Sequence, residues 1–278
     1  MKDTILFGDC RETLSAFIDK AQMCVTSPPY YGLRNYGGED KQIGQEDTPE
    51  EYIENLVSVF RSVRDTLTED GTLWLNIGDS YYNYRPGKGQ ALVKQSVSKT
   101  NQDLPTKCNR RANKLEGYKE KDLIGIPWLL AFALRKDGWY LRQDIIWNKP
   151  NPMPESVRDR CTKSHEYVFL LSKNQNYYFD VDAIKEETRR KRSVWNIKTK
   201  PYKGSHFAVF PPDLVELCIK AGSKKNDIIL DPFMGSGTTA MVSKSLGRYY
   251  LGCELHQEYG KLIEDRIAPY HTNLEKFL

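Results

Sequence analysis

The chain has 278 residues, 39% hydrophobic and 28% charged, with a formal net charge of +4. That is enough for one sizeable α/β domain, or one domain carrying an inserted lobe, and it excludes fibrous, collagenous and wholly disordered chains. No apolar run approaches the roughly 20 residues needed to cross a bilayer, and Met1-Lys2-Asp3 lacks the apolar stretch of a signal peptide, so a cytoplasmic protein without membrane contact is expected.

Along the chain, short β-rich runs alternate with amphipathic stretches, the pattern of a parallel sheet flanked by helices. Strands are predicted over residues 4–7 and 23–26. The second runs straight into Ser27-Pro28-Pro29-Tyr30. Two consecutive prolines stiffen that turn, remove two backbone donors and leave carbonyl acceptors exposed beside an aromatic ring. Such a turn suits a planar group bearing an NH2; a proline turn that merely ends a strand is the competing reading. Thr48-Pro49-Glu50-Glu51 then opens a helix, with Thr as N-cap, Pro at the first helical position and two carboxylates in the positive first turn. Apolar Ile53, Leu56, Val57 and Phe60 carry it to about residue 67, before Asp70-Gly71.

A strand is predicted over 71–77, after which residues 82–121 break the rhythm, with 10 Lys and Arg against 3 Asp and Glu, about +7. Lacking periodicity, this stretch reads as a loop or as an insertion that orders on a partner. A helix over 127–136 and strands over 141–147 and 166–172 follow. His165 beside Glu166 reads as hydrogen-bonded structure at a strand's start rather than as a general base. A second basic stretch lies within 174–203, where residues 183–203 hold 8 Lys and Arg against 2 Glu. Two basic segments on a mildly acidic body suit a polyanion-binding enzyme. Trp74, Trp128 and Trp139 read as core, whereas Trp147 and Trp195 are divided between the core and a ligand-facing surface.

Helices over 212–221 and 238–246 and strands over 227–230 and 249–254 complete the pattern. Between strand and helix stands Asp231-Pro232-Phe233-Met234-Gly235-Ser236-Gly237-Thr238-Thr239. Glycines at such a turn let the backbone approach a ligand and aim N–H groups at it. Thr238 occupies the place where a phosphate-binding Walker loop needs Lys, which argues against phosphate transfer. The last strand ends Leu251-Gly252-Cys253-Glu254, a carboxylate where nucleotide-type folds bind a ribose diol. The 6 cysteines form no CxxC pair, so neither a metal site nor a disulfide framework is expected.

Together, the Ser27-Pro28-Pro29-Tyr30 turn and the glycine turn at 231–239 resemble the two motifs of the DNA amino-methyltransferases. These enzymes use S-adenosylmethionine to methylate N4 of cytosine or N6 of adenine. With the catalytic motif early and the cofactor motif late, the order resembles their circularly permuted β group. The resemblance implies a doubly wound, Rossmann-like α/β methyltransferase fold with a DNA-recognition lobe. It divides the chain into a catalytic region (1–81 and 122–173), a basic insertion (82–121), a target-recognition candidate (174–203) and a cofactor-binding part (204–278).

The resemblance makes Ser27, Pro28, Pro29 and Tyr30 catalytic. It assigns cofactor contacts to Asp9, Cys10, Thr26, His206, Phe207, Phe210, Asp231, Pro232, Phe233, Gly235, Ser236, Gly237, Thr238, Glu254 and Leu255. Within that set, Asp9 would face the cofactor's adenine, and the stretch from His206 to Pro211 would complete the methionine pocket. Residues 144–150 resemble the segment that holds the target base, which brings in Trp147 and Lys149. Arg189, Arg190, Lys191 and Arg192 are candidate phosphate contacts; Arg110, Arg111 and Asn113 are candidate readers of base edges. The implied partners are double-stranded DNA and a cognate restriction endonuclease, with the protein a monomer or homodimer.

A base amino nitrogen is a poor nucleophile because its lone pair is delocalised into the ring, so it must be oriented and polarised. Ser27 and the Pro28 carbonyl would accept its two hydrogens, and Tyr30 would stack on the base once it leaves the duplex. No cysteine follows a proline, unlike the covalent carbon-5 cytosine enzymes. Ser rather than Asp at position 27 is, by resemblance, the marker for cytosine N4. Adenine N6, RNA or protein-glutamine methylation, and a DNA-binding module without turnover are the rival readings, and the basic segments favour nucleic acid.

Overall fold

Side chains of the central strands alternate between two apolar layers, which is why the sheet is covered on both faces. Cys24, Leu73, Leu75, Phe169 and Leu171 join one core, while Met23, Val25, Trp74, Val168 and Leu170 join the other. The computed structural model describes residues 1–32, 42–82, 115–199 and 210–271. Its strands are β1 (Thr4–Phe7), β2 (Ala21–Thr26), β3 (Leu67–Ile77), β4 (Tyr140–Asn148), β5 (His165–Ser172), β6 (Val194–Asn196), β7 (Ile228–Asp231) and β8 (Tyr249–Glu254). They form a single sheet in the order β1-β8-β7-β2-β3-β5-β4-β6.

The helices are α1 (Cys10–Thr13), α2 (Pro49–Thr66), α3 (Ile126–Lys136), α4 (Pro212–Gly222), α5 (Thr238–Ser245) and α6 (Tyr259–His271). Thr48 caps α2 in a full capping box, accepting from the Glu51 N–H while the Glu51 carboxylate accepts from the Thr48 N–H. The buried stripe of α2, Tyr52, Leu56, Val59, Phe60 and Val63, lies in the same core as Leu130 and Leu134 of α3. Leu214, Val215, Cys218 and Ile219 of α4 pack into the opposite core. No helix among the described residues is long and apolar enough to cross a membrane.

The expectation of a parallel sheet needs one correction: β5 runs antiparallel to both β3 and β4. A parallel return requires a crossover, usually helical, and the segment between β4 and β5 contains no helix. Among the described residues, the short helix α1, the helix α6 and the three-residue β6 went unpredicted; β6 pairs in parallel with β4. Through β6 the second basic stretch enters the sheet. Ile184, Trp195 and Ile197 are buried, and the Trp195 ring stacks on Trp74 with centroids 6.3 Å apart.

The other basic stretch is rooted by backbone pairing at its two ends. Tyr82 N–H donates to the Asp122 carbonyl, Lys121 N–H to the Tyr82 carbonyl and Ile124 N–H to the Ser80 carbonyl. Beside them, Asp79 Oδ1 accepts from the N–H groups of Gly125 and Ile126 at 3.0 Å each, capping α3 from the end of β3.

Trp195→Ala is expected to cost about 3–5 kcal/mol of stability, the price of an aromatic-sized cavity. Urea denaturation checks this; unchanged stability with weakened DNA binding would instead mark Trp195 as a surface contact.

Candidate active site

All the motif residues lie along one edge of the sheet. The parallel strands β1, β8, β7, β2, β3 and β4 end there, and antiparallel β5 begins there. Between β7 and β2 the chain reverses direction across the sheet: from β2 it proceeds to β3, and from β7 to β8 on the other side. Open α/β sheets bind their ligands at such a reversal, outside the carboxyl ends of the strands. The Ser27-Pro28-Pro29-Tyr30 turn follows β2 and the glycine turn follows β7, so the two stand on either side of it.

Asp231, fully buried at the end of β7, ties the two turns together. Its Oδ1 accepts from Thr26 Oγ1 at 2.6 Å and from the Phe233 N–H at 3.0 Å, and its Oδ2 accepts from Thr239 Oγ1 at 2.6 Å. Burial nonetheless prevails over these hydrogen bonds and pushes its carboxyl up to about 6. Gly237 enters α5 with φ 78°, and a Cβ there would lie 2.9 Å from Ile263 Cγ2 of α6. Ser236 is held by Arg266, whose guanidinium donates to Ser236 Oγ at 2.7 Å. Thr238 Oγ1, at the first turn of α5, is buried and has no hydrogen-bond partner among the described residues.

Glu254 Oε2 accepts from the Gly235 N–H at 2.7 Å and Oε1 from the His256 N–H at 2.9 Å; burial pushes this carboxyl up to about 7. One strand over, Asp9 caps α1 and is paired with the Arg11 guanidinium at 2.5 Å. Phe7 and Glu254 are register partners in β1 and β8, which sets the two carboxylates on neighbouring strand ends. Acceptors at two strand ends and an unsatisfied hydroxyl fit an adenosyl cofactor, whose diol and amino groups donate, while the N–H groups of Phe233, Met234, Gly235 and Gly237 are used within the protein to shape the turn. Cys10 and Pro232 are buried, and Phe233, Leu255 and Phe210 are half-buried, Phe210 packing on the α4 core. His206 and Phe207 lie outside the described residues.

On the other side, the Pro29 carbonyl accepts from the Tyr52 hydroxyl of α2 at 2.8 Å. The Tyr30 ring lies so close to Gly78 that a Cβ there would stand 2.7 Å from Tyr30 Cε2. The Tyr30 hydroxyl donates to Glu166 Oε2 at 2.6 Å, and Ser27 Oγ lies 3.5 Å from the same hydroxyl. Asn76 Nδ2 also donates to Glu166 Oε2, and the Lys149 ammonium pairs with Oε1 while standing 4.3 Å over the Trp147 ring. Burial and the Glu166 carboxylate together hold the Tyr30 phenol well above its ordinary range. Lys163, whose ammonium burial lowers, reaches the Asp79 carbonyl at 3.4 Å.

Glu166 is therefore the residue that sequence reasoning set aside and the fold brings in, together with Asn76, Tyr52 and Gly78. A buried Asn inside the apolar run Leu73-Trp74-Leu75-Asn76-Ile77 was the available signal. Trp147 requires a correction. It is only 3% exposed, and its Nε1 donates to the Ile197 carbonyl at 2.8 Å, so it is core beneath Lys149 rather than open pocket wall. Arg189, Arg190 and Arg192 are exposed, whereas Lys191 is largely covered and pairs with Glu186 at 2.5 Å. Arg110, Arg111 and Asn113 lie outside the described residues.

Because Asp231 binds its proton more tightly folded than unfolded, its ionisation lowers stability as pH rises from about 4 to above 6, by on the order of 3 kcal/mol. Denaturation at pH 5 and 7.5 should show this decline in the wild type and a shallower one in Asp231→Asn.

The family described as DNA methylase, N6_N4_Mtase, matches residues 21–265. The type II methyltransferase M.SmaI of Serratia marcescens is 52% identical over 276 residues, covering 95% of this chain and 90% of that protein. Among solved structures, the fold resembles PvuII DNA methyltransferase (cytosine-N4-specific), with TM-score 0.70, 20% identity, and 96% of this chain and 86% of that chain covered. It also resembles M1.HpyAVI in complex with SAM, with TM-score 0.61, 20% identity, and 95% and 98% covered. The chain belongs to the N6/N4 DNA methylase family and is an S-adenosylmethionine-dependent DNA methyltransferase.

Proposed function

We propose that this methyltransferase acts on the exocyclic N4 of cytosine in double-stranded DNA, in the cytoplasm, alongside a cognate restriction endonuclease. One observation carries the reading: the buried Thr26–Asp231 hydrogen bond holds the Ser-Pro-Pro-Tyr turn against the glycine turn, where a methyl donor and a base amino group would meet. Ser27 supports cytosine over adenine, as does the cytosine-N4 specificity of the PvuII enzyme. The type II designation of M.SmaI supports a restriction partner.

S-adenosylmethionine supplies an electrophilic methyl group on a sulfonium. Asp9 and Glu254 would hold its adenosyl part, with the glycine turn lying against the rest. Ser27 Oγ and the Pro28 carbonyl accept the two amino hydrogens of the base, directing its lone pair at the methyl group. Tyr30 stacks on the extruded base, contributing about 1–3 kcal/mol toward an extrusion cost of a few kcal/mol. Exposed Arg189, Arg190 and Arg192 meet phosphates, and their contribution falls with salt. The buried thiols take no part; Cys253, for example, is pushed by burial up to about 12.

Incubation with S-adenosylmethionine and unmethylated DNA, digestion to nucleosides and mass spectrometry test the reading. N4-methylcytosine is expected, reduced at least 100-fold in Ser27→Ala. N6-methyladenine would overturn the base assignment, and no methylated nucleoside in DNA would turn the reading to RNA and protein substrates. Since Glu254 titrates near 7 and accepts best when ionised, cofactor affinity by calorimetry should rise as pH rises through about 7. Glu254→Gln should bind more weakly, with that dependence lost.

A further inference from the structure

The methylated amino nitrogen must lose a proton, and Ser27, which accepts one of its hydrogens, is neutral and has no charge with which to take that proton up. The structure nevertheless sets a run of exchangeable hydrogens behind it. Ser27 Oγ donates toward Tyr30 Oη over 3.5 Å, and Tyr30 Oη donates to Glu166 Oε2 at 2.6 Å. The Tyr30 hydroxyl also has Asn76 Oδ1 at 3.4 Å, but the carboxylate is the nearer acceptor. Catalytic hydrogen bonds are often this long before substrate arrives.

Glu166 is held for such a role from every side. Asn76 of β3 donates to its Oε2, and Lys149, just past β4, pairs with its Oε1. Lys163, just before β5, stands near enough to interact electrostatically, with Asp79 beyond it. His165 and Tyr167, its neighbours on β5, meet each other edge to face. Antiparallel β5 is what delivers the carboxylate here, because its first residues, not its last, reach the motif edge.

We propose that Glu166 is a positioning residue that fixes Tyr30 and terminates a proton path from the base amino group through Ser27 and Tyr30. As the N–CH3 bond forms and the S–CH3 bond breaks, the amino nitrogen becomes cationic. Its N–H electrons return to nitrogen, and its proton passes to Ser27 Oγ. The Ser27 proton moves to Tyr30 Oη, and the Tyr30 proton moves to Glu166. Ser27 and Tyr30 each gain and lose one proton, and Glu166 returns its own to water before the next turnover. Burial keeps the Tyr30 phenol protonated, so it relays the proton without standing as a phenolate. The path rests on the reading that Ser27 accepts a base amino hydrogen.

Single-turnover methyl transfer on duplex DNA, compared among the wild type, Glu166→Gln, Tyr30→Phe and the double variant, tests it. Gln still accepts from Tyr30 but cannot take up the proton. The expected result for each single variant is a rate loss of about 100-fold or more, with DNA and cofactor dissociation constants unchanged. The double variant should lose no more than either alone, because both interrupt one path.

A Glu166→Gln rate within threefold of wild type, or losses that multiply in the double variant, would overturn the path. Should Glu166→Gln fail to fold, Tyr30→Phe decides: full activity overturns the path, and loss with intact binding supports it. The identity of the wild-type product tests the parent reading separately from these ratios.

Discussion

The hydrogen bonds that converge on Asp231 join side chains 205 residues apart in sequence, and the geometry of the active edge depends on them. A carboxyl buried this deeply costs several kcal/mol of desolvation, which Thr26, Thr239 and the Phe233 N–H offset by donating to it. What the arrangement secures is position. Thr26 is the last residue of β2 and Thr239 lies in the first turn of α5, so one side chain fixes the Ser-Pro-Pro-Tyr turn, the glycine turn and the helix between β7 and β8 in a common frame.

The rest of the sheet follows from the order in which the chain visits that frame. β1 lies beside β8 at one end of the sheet, and from it the chain passes over the positions of β8 and β7 to reach β2. Asp3 anchors it there: Oδ1 accepts from the Tyr250 N–H and Oδ2 pairs with the almost fully buried Lys244 ammonium at 2.7 Å. At the other end, the return of β5 without a crossover helix places its leading residues among the trailing residues of β2, β3 and β4. The cofactor side is thus built from strand ends and the base side from strand ends plus one strand beginning.

The sequence shows what is local. The Ser27-Pro28-Pro29-Tyr30 turn, the glycine turn and the capping box at Thr48 each carry their signal within a few neighbouring residues, and the structure forms all three. Strand positions were legible for the same reason, since apolar runs bounded by turn residues mark them. Glu166 was not legible, because nothing in His165-Glu166-Tyr167 tells that β5 is antiparallel and hence that its start meets Tyr30. Trp195 was equally hidden: a basic run precedes it, and only pairing of β6 with β4 makes it core. The capping of α3 by Asp79, 46 residues before Gly125, has no local signature at all.

That last contact, with the backbone pairs beside it, closes a neck. Residues 79–82 and 121–126 are bound to one another by main-chain hydrogen bonds and one carboxylate, and Leu115 and Tyr118 between them pack back on Tyr82. The cost of a closed loop grows only with the logarithm of its length, about 0.6 kcal/mol per doubling. A change in the length of the chain between the two sides of this neck would therefore cost little, and the strands on either side would keep their register.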